Sequence, residues 1–230
     1  MKTIGLISGM TWESSLEYYR IINEEVGRKL GGLHSAKCLM CSLDLHDVLE
    51  LQDQGKWEEL APIIKDAAVT LENGGSDLIL ICTNTIHKFY DEIQTSVKVP
   101  VLHIADAVGE VIKGRGLKKV GLLGTRFTMQ EDFYKVRLKE RFDIETVIPD
   151  EPDRQSIHKI IFGELAYNNI VESSRIKLKT IINDLVSKGA EGIILGCTEL
   201  PMVIKQEDAG IPVFDTLKIH AEAAVEEALK

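Results

Sequence analysis

The sequence predicts an α/β fold of two similar doubly wound, Rossmann-like domains, each built on a parallel sheet. Two observations carry this prediction. Short apolar runs alternate with helical patterns along the whole chain, and segments of the first half recur in the second half. Strands that alternate with helices indicate a parallel sheet covered on both faces. The recurrence indicates a duplicated unit rather than a solenoid, because a solenoid needs more and shorter copies.

Strands are predicted where β-branched or leucine-rich runs are short and continuous. These runs are Ile4–Ile7, Leu78–Cys82, Val101–Ile104, Val120–Leu123 and Ile193–Leu195. Helices are predicted where apolar residues recur on one helical face, and these sets are Leu60, Ile64, Ala67 and Leu71, then Leu178, Ile181, Ile182 and Leu185, then Leu217, Ala221, Ala224 and Ala228. Thr128 followed by Glu131 has the spacing of a capping box, which predicts another helix start.

Three segments of the first half return in the same order, at a nearly constant offset of about 115 residues. The matched pairs are Lys2–Gly9 with Lys118–Thr125, Gly75–Thr85 with Gly189–Glu199, and Val99–Leu102 with Ile211–Phe214. We therefore expect a first α/β domain over residues 1–100 and a second over residues 101–212. A C-terminal helix over residues 213–230 is expected to pack back onto the first domain, and the active site is expected in the cleft between the two domains.

The composition excludes several classes of protein. Of 230 residues, 44% are hydrophobic, and 36 acidic side chains outnumber 27 basic ones, which gives a formal charge of −9. This balance argues against intrinsic disorder, and no apolar run approaches the ~20 residues that a membrane span requires. Since phosphate binding needs clustered Lys and Arg, and no such stripe is present, nucleic acid is not an expected partner.

The cysteines and the first residues bear on the compartment. The chain has four cysteines, Cys38, Cys41, Cys82 and Cys197, which are too sparse for a disulfide scaffold. The apolar run after Met1 stops at Ser8–Gly9, without the pattern of a secretory signal. We therefore expect a cytoplasmic protein with free thiols.

The candidate chemistry lies where two predicted strands end. Ligands of doubly wound sheets bind beyond the carboxyl ends of the strands, and the repeat places Thr83 and Cys197 at equivalent strand ends. At the start of a helix a thiol pKa falls from its usual ~8.5, so Cys197 is expected to act as a thiolate base. The plainer alternative is a buried, inert thiol. Asn, Thr and Glu side chains at these turns are equally suited to cap helices.

Other motifs are weaker. Cys38 and Cys41 form a lone C-x-x-C in a strand-like run that directs the two thiols apart, so a metal or redox role is not expected. His87 and His103 follow strand ends, where a hydrogen-bonded structural histidine is more common than a catalytic one. The glycine spacings of the nucleotide-binding motifs are absent.

Three motifs together resemble the aspartate/glutamate racemase family, most closely its bacterial broad-specificity, L-aspartate/glutamate branch. They are Ser8–Ser14, Thr83–His87 and Gly196–Leu200, and the likeness extends to Gly31–Ser35 and Phe214–Thr216. The resemblance implies two α/β domains, a homodimer and proton transfer without a cofactor or metal. It also implies one cysteine in each domain, serving as acid and base. The expected partner is an amino-acid substrate, a small molecule, with neither nucleic acid nor membrane.

Carried over by position, the resemblance makes Cys197 the second catalytic cysteine and puts Thr83 in the place of the first. It implies that Asn84, Thr85, Thr198 and Glu199, together with Met10 and Gln52, contact the substrate. The basic residues that strict aspartate racemases use on the distal carboxylate are missing, since residues 44–52 and 162–168 contain no Lys or Arg. The side chain of the substrate is therefore left open.

Racemisation requires one group on each face of the α-carbon. The resulting hypothesis is a racemase acting on aspartate, glutamate or a broader set of amino acids, with Cys197 and Thr83 as the acid/base pair. Asn84, Thr85 and Thr198 would stabilise the carbanion, and Glu199 would hold the substrate ammonium. Two alternatives stay open: a decarboxylase or isomerase of small dicarboxylates that uses Cys197 alone, and an amino-acid-binding protein without turnover.

Overall fold

The computed structural model describes residues 1–230, and the chain divides into two compact units. The first unit comprises Met1–His103 and His220–Lys230, and the second comprises Ile104–Ile219. Each unit contains one four-stranded parallel sheet flanked by helices. The predicted α/β class with two similar parallel-sheet units is confirmed. No helix is both long and apolar enough to cross a membrane.

The first unit alternates strands and helices from its first residues. In chain order its elements are β1 (Ile4–Ser8), α1 (Trp12–Leu30), β2 (Cys38–Ser42), α2 (Leu45–Asp53), α3 (Trp57–Asn73), β3 (Leu78–Ile81), a 3₁₀ turn (Thr85–Phe89), α4 (Tyr90–Ser96) and β4 (Val101–Leu102). The thiols of Cys38 and Cys41 lie three positions apart on β2, so they point to opposite faces of the sheet.

The second unit repeats this alternation. Its elements are α5 (Ile104–Gly114), β5 (Lys119–Gly124), α6 (Arg126–Gln130), α7 (Asp132–Phe142), β6 (Glu145–Val147), α8 (Glu151–Gly163), a 3₁₀ turn (Leu165–Tyr167), α9 (Glu172–Ser187), β7 (Ile193–Gly196), α10 (Leu200–Val203), a 3₁₀ turn (Gln206–Asp208), β8 (Val213–Asp215) and α11 (Thr216–Ala228). From His220 onward, α11 belongs to the first unit.

Several local expectations differ from the structure. Residues 213–215, grouped with the terminal helix in the sequence, form β8 of the second sheet. The capping box predicted at Thr128 is wrong: Thr125 caps α6 by accepting the amide hydrogen of Thr128 at 3.3 Å, and Thr128 lies buried inside that helix. Glu131 instead ends α6 and precedes α7.

The two sheets have the same strand order, β2-β1-β3-β4 and β6-β5-β7-β8. In the first sheet Ile7 pairs with Ile81, and in the second Gly124 pairs with Gly196. The central strands are buried on both faces, as parallel strands covered by helices must be. Residues Leu60, Ile64, Ala67 and Leu71 form the buried face of α3, as the helical spacing predicted.

The turn after β1 depends on a glycine. Gly9 has a φ of +90°, and a Cβ at this position would lie 2.0 Å from the carbonyl oxygen of Leu43. Only glycine allows that backbone conformation and that approach without strain. The amide of Gly9 donates to Ser15 Oγ at 2.9 Å, so the turn is also tied to the first turn of α1. Met10 follows Gly9 directly, so the conformation of this turn determines where Met10 lies.

A fully buried histidine joins three elements of the first unit. His220 Nε2 lies 3.1 Å from the carbonyl oxygen of Leu102, and its Nδ1 lies 2.9 Å from the hydroxyl of Tyr18. Because a carbonyl only accepts, Nε2 carries the hydrogen and Nδ1 accepts from Tyr18. The ring of His87 is 5.7 Å from that of His220, and the ring of His103 is 4.6 Å from that of His87. The sequence predicts structural roles for His87 and His103 and does not single out His220.

Burial sets the protonation state of this cluster. Loss of solvation, reinforced by neighbouring His87, lowers the pKa of His220 to about 3. The unfolded chain takes up a proton near the ordinary histidine pKa of about 6.5, whereas the folded chain holds this ring neutral. The contribution of His220 to stability is therefore complete above that pH and is lost as the pH falls toward 3.

We expect the free energy of unfolding to fall between pH 7.5 and pH 5.0, with about 2 kcal/mol of the loss due to His220. Urea unfolding of the wild type and of His220→Gln at both pH values measures this loss, because glutamine has no titrating group there. The exposed residue His34 supplies the matched control, His34→Gln. Equal pH dependence in wild type and His220→Gln would contradict the neutral buried histidine.

Candidate active site

The strand order of each sheet brings two functional turns side by side. In the order β2-β1-β3-β4, the chain leaves β1 toward β2 and leaves β3 toward β4, so the connections diverge between the two central strands. Ligands of doubly wound sheets bind in the crevice at this point. In the first unit, the residues that follow these strands are Met10 and Thr83–Thr85. In the second unit, they are Thr125 after β5 and Cys197–Glu199 after β7.

Cys197 lies in a compact, buried turn. Its thiol donates to Glu199 Oε2 at 2.8 Å, and the hydroxyl of Thr198 donates to the same oxygen at 3.0 Å. Cys197 is 7% exposed and Glu199 is 6% exposed. The amide of Leu200 donates to the carbonyl of Cys197 at 3.2 Å, which starts the single turn of α10. The structure therefore joins three of the predicted site residues in one hydrogen-bonded group.

The backbone next to this turn admits only glycine at positions 124 and 196. A Cβ at Gly196 would lie 2.9 Å from the carbonyl oxygen of Leu123 and equally close to a methyl carbon of Leu122. A Cβ at Gly124 would lie 2.7 Å from the carbonyl oxygen of Gly196. Both distances are shorter than real Cβ contacts, so β5 and β7 can end this close together only as glycines. This approach sets the position of Cys197 relative to the β5 turn.

The pKa expected for Cys197 from sequence is wrong in its direction. Burial, reinforced by the charge of Glu199, raises the pKa of this thiol well above its ordinary value. The backbone N–H groups of Thr198 and Glu199 act in the expected, lowering direction, but they are outweighed. The turn that follows is only four residues long, so its dipole is small compared with a carboxylate at hydrogen-bond distance. Without a ligand, Cys197 is therefore a thiol that donates to Glu199.

The turn after β3 holds the predicted residues of the first unit. Thr83 is half-buried, whereas Asn84 and Thr85 are buried. The carbonyl oxygen of Thr83 lies 2.8 Å from Nδ1 of His87, so this nitrogen carries the hydrogen and donates. His87 thus links the Thr83 turn to the buried histidine cluster. Cys82, directly before Thr83, is packed in the sheet, and burial raises the pKa of its thiol.

Met10 and Gln52 occupy different positions in the first unit. Met10 is buried after the Gly9 turn and packs in the core with Ile7, Val48 and Ile86. Gln52 is 7% exposed near the end of α2. No group of three or more His, Cys, Asp or Glu side chains is arranged to hold a metal ion.

The bond between Cys197 and Glu199 predicts slow alkylation of this thiol. Replacing Glu199 with Gln removes the negative charge and the acceptor that retain the thiol hydrogen, so the pKa of Cys197 falls. We expect the rate of iodoacetamide modification at pH 8 to rise about tenfold, since one pKa unit changes the thiolate fraction by that factor. Peptide mass spectrometry reports each cysteine separately.

Glu207→Gln is the matched control, because Glu207 is an exposed carboxylate of the same unit. Identical pH profiles for alkylation of Cys197 in the wild type and in Glu199→Gln would contradict the coupling between the two side chains.

Comparison with known proteins identifies the family. The family model described as Asp/Glu/hydantoin racemase matches residues 7–224. The chain is 31% identical over 168 residues to the broad-specificity amino-acid racemase RacX of Bacillus subtilis (strain 168), covering 73% of this chain and 72% of RacX.

Among solved structures, a candidate Asp/Glu racemase from Yersinia pestis is 46% identical over the full length of both chains, with a TM-score of 0.94. An aspartate racemase homologue from Pyrococcus horikoshii OT3 is 39% identical, also over the full length of both chains, with a TM-score of 0.84. The likeness extends over both sheets and over the turns that carry Thr83 and Cys197. The chain belongs to the Asp/Glu/hydantoin racemase family.

Proposed function

We propose that the protein is a cofactor-independent amino-acid racemase that transfers protons at the α-carbon with Cys197 and Thr83. The observation that carries this proposal is the buried Cys197 thiol hydrogen-bonded to the Glu199 carboxylate at 2.8 Å, directly after a central strand. Family membership supports the reaction class. RacX is named a broad-specificity amino-acid racemase, and other relatives are named glutamate racemase. We propose aspartate, glutamate or a broader set of amino acids as substrates.

The proposed first step is removal of the α-proton by Cys197. Glu199 accepts the hydrogen bond of the thiol in the ligand-free protein, so we propose that the thiol proton leaves through this carboxylate to solvent when the thiolate forms and that Glu199 remains charged. A substrate ammonium group next to Glu199 would offset its charge and lower the pKa of the thiol. The thiolate then takes the α-proton of one enantiomer. Glu199 therefore serves the substrate ammonium, as the sequence predicted, and the thiol as well.

The carbanion needs hydrogen-bond donors around the substrate carboxylate, because its negative charge spreads onto those oxygens. We propose that Asn84, Thr85 and Thr198 supply these donors, with Met10 and Gln52 as further substrate contacts. All six of the proposed contact residues, Glu199 included, are buried or half-buried, so the donors operate in a medium of low polarity where they are stronger than in water.

The proposed second step returns a proton from the Thr83 hydroxyl to the other face of the α-carbon, and a proton from solvent then restores this hydroxyl. A hydroxyl is a much weaker acid than a thiol, so this half of the reaction is the slower one. Thr83 is a correspondingly poor acceptor in the reverse direction. We therefore propose that the two enantiomers have unequal kinetic constants, while the equilibrium constant of the racemisation is unchanged.

Exchange of the α-proton in D₂O tests the reaction. The wild type is incubated with L-aspartate, L-glutamate or L-alanine, and α-deuterium is read by proton NMR and configuration by chiral chromatography. We expect Cys197→Ser to lower exchange by about 10²-fold or more. Cys41→Ser, a half-buried cysteine on a strand, is the matched control and keeps wild-type exchange.

Thr83→Cys tests the assignment of the second group. We expect this variant to raise exchange of the slower enantiomer, because a thiol is a stronger acid than a hydroxyl and ionises near neutral pH, so that its thiolate can also accept a proton. Absence of α-deuterium in every amino acid tested with the wild type would overturn the racemase. Binding without exchange would favour the amino-acid-binding alternative, and loss of CO₂ would favour the decarboxylase.

We also propose that the protein is a cytoplasmic homodimer. All four cysteines are free, which suits a reducing compartment. Helix α1 exposes three large apolar side chains at helical spacing: Trp12 is 61% exposed, Leu16 is 55% exposed and Tyr19 is 47% exposed. Such a row lies on one helical face, and apolar patches of this kind mark interaction surfaces. A second copy of the chain is the proposed occupant, because the family resemblance found in the sequence implies a homodimer.

Light scattering coupled to size-exclusion chromatography measures the oligomeric state. We expect the wild type to elute with the mass of two chains and Leu16→Glu with the mass of one, because a charge cannot be buried in an apolar contact without a partner. Val136→Glu, at an exposed valine of α7, is the control and keeps the wild-type mass. A monomeric wild type would contradict the homodimer.

A further inference from the structure

A cavity of about 310 Å³ lies within the second unit, between α6 and α8. It is lined by Arg126, Gln130, Glu151, Gln155, His158 and Lys159. None of these residues belongs to the proposed catalytic group. The volume is at the lower end of the range for sites that bind small organic molecules. Its lining residues include two cationic side chains and one carboxylate, so charge contributes to what it accepts.

The one carboxylate of the lining is already engaged. Glu151 pairs with Arg154, which is outside the cavity lining, and accepts from Gln155 at 3.0 Å and from Gln130 at 3.1 Å. These bonds hold the pKa of Glu151 below its usual range. Arg154 balances the charge of Glu151, so this carboxylate is not needed to offset the charges of Arg126 and Lys159. Lys159 has no carboxylate within ion-pair distance.

The walls of the cavity are held in place. The amide of Arg126 donates to His158 Nδ1 at 3.4 Å. The His158 ring packs edge-on against Phe162, with centroids 4.8 Å apart, and the Arg126 guanidinium lies 4.6 Å from the centre of the Phe127 ring. These contacts restrict both side chains before any ligand binds, which lowers the entropic cost of binding.

We propose that this cavity binds a small organic molecule through an oxyanion group, either a carboxylate or a phosphate, held by Arg126 and Lys159. Arg presents a planar set of donors that matches both oxyanions, and Lys adds a point charge. The net charge of the chain is −9, so the cavity is a local exception to an acidic protein. The binding does not depend on the proposed racemase reaction, because no residue of that reaction lines the cavity.

Thermal stabilisation by two probe anions tests the site. Unfolding is followed in sodium succinate, in sodium phosphate and in sodium chloride at equal ionic strength, since a ligand that binds the folded chain raises its stability. We expect one or both oxyanions to raise the midpoint above that in chloride. We expect Lys159→Gln and Arg126→Gln each to raise, by tenfold or more, the anion concentration that gives the wild-type shift in unfolding midpoint. A stronger response to succinate identifies a carboxylate ligand, and a stronger response to phosphate identifies a phosphate ester.

Two controls separate this site from the proposed catalytic group. Lys188→Gln, at an exposed lysine of the same unit, keeps the wild-type response, and so does Cys197→Ser. Far-UV circular dichroism without added anion confirms that the variants are folded; Lys159 is exposed, so its replacement leaves the core intact. The proposal is wrong if neither oxyanion stabilises the wild type, if the stabilisation persists in Lys159→Gln and Arg126→Gln, or if Cys197→Ser abolishes it. None of these outcomes bears on α-proton exchange.

Discussion

Parallel pairing of the two central strands in each sheet sets the position of every candidate functional turn. β1 pairs with β3 and β5 pairs with β7, and in each case the connections diverge from the shared carboxyl edge. Crossovers between parallel strands are almost always right-handed. Two crossovers that leave in opposite directions therefore lie on opposite faces of the sheet, and the edge between them is left uncovered. The turns that begin at Thr83 and Cys197 lie at this edge because of that constraint. The glycines at 124 and 196 then determine how close the neighbouring strand ends come.

Burial and charge around Cys197 act against each other. A thiol is a useful base only as a thiolate, yet burial and the carboxylate of Glu199 both favour the thiol. The same bond keeps an acceptor for the thiol hydrogen at 2.8 Å. A ligand that brings positive charge to Glu199 therefore changes the preferred form of Cys197. In the proposed mechanism the protonation state of Cys197 responds to substrate binding, since the backbone N–H groups are present with and without substrate.

A second buried polar group supports the first unit. His220 is held neutral between Tyr18 and Leu102, and His87 connects this cluster to the carbonyl of Thr83. Each acceptor and donor of the His220 ring is satisfied, which is the condition for burying a polar ring without a large free-energy cost. The position of the Thr83 turn therefore depends on helices α1 and α11, which are far from it in sequence. The two proposed catalytic residues therefore differ in their surroundings: Cys197 is bonded to its near neighbour Glu199, whereas the histidine that donates to the Thr83 carbonyl packs against the ring of His220 from α11.

Local patterns in the sequence were enough to determine the α/β class, the internal repeat and the strand ends at which Thr83 and Cys197 lie, because buried parallel strands and amphipathic helices have distinct periods. Short edge strands such as β6 and β8 were not predicted, since three residues give no period. A helix cap was predicted at Thr128 because Glu131 follows it at the spacing of a capping box, whereas the observed cap, Thr125, has no Glu or Gln at that spacing. Only the tertiary structure decided the protonation of Cys197, the neutral state of His220 and the cationic cavity at Arg126 and Lys159. Those properties depend on burial and on charges brought together from distant segments, and periodicity carries no information about either.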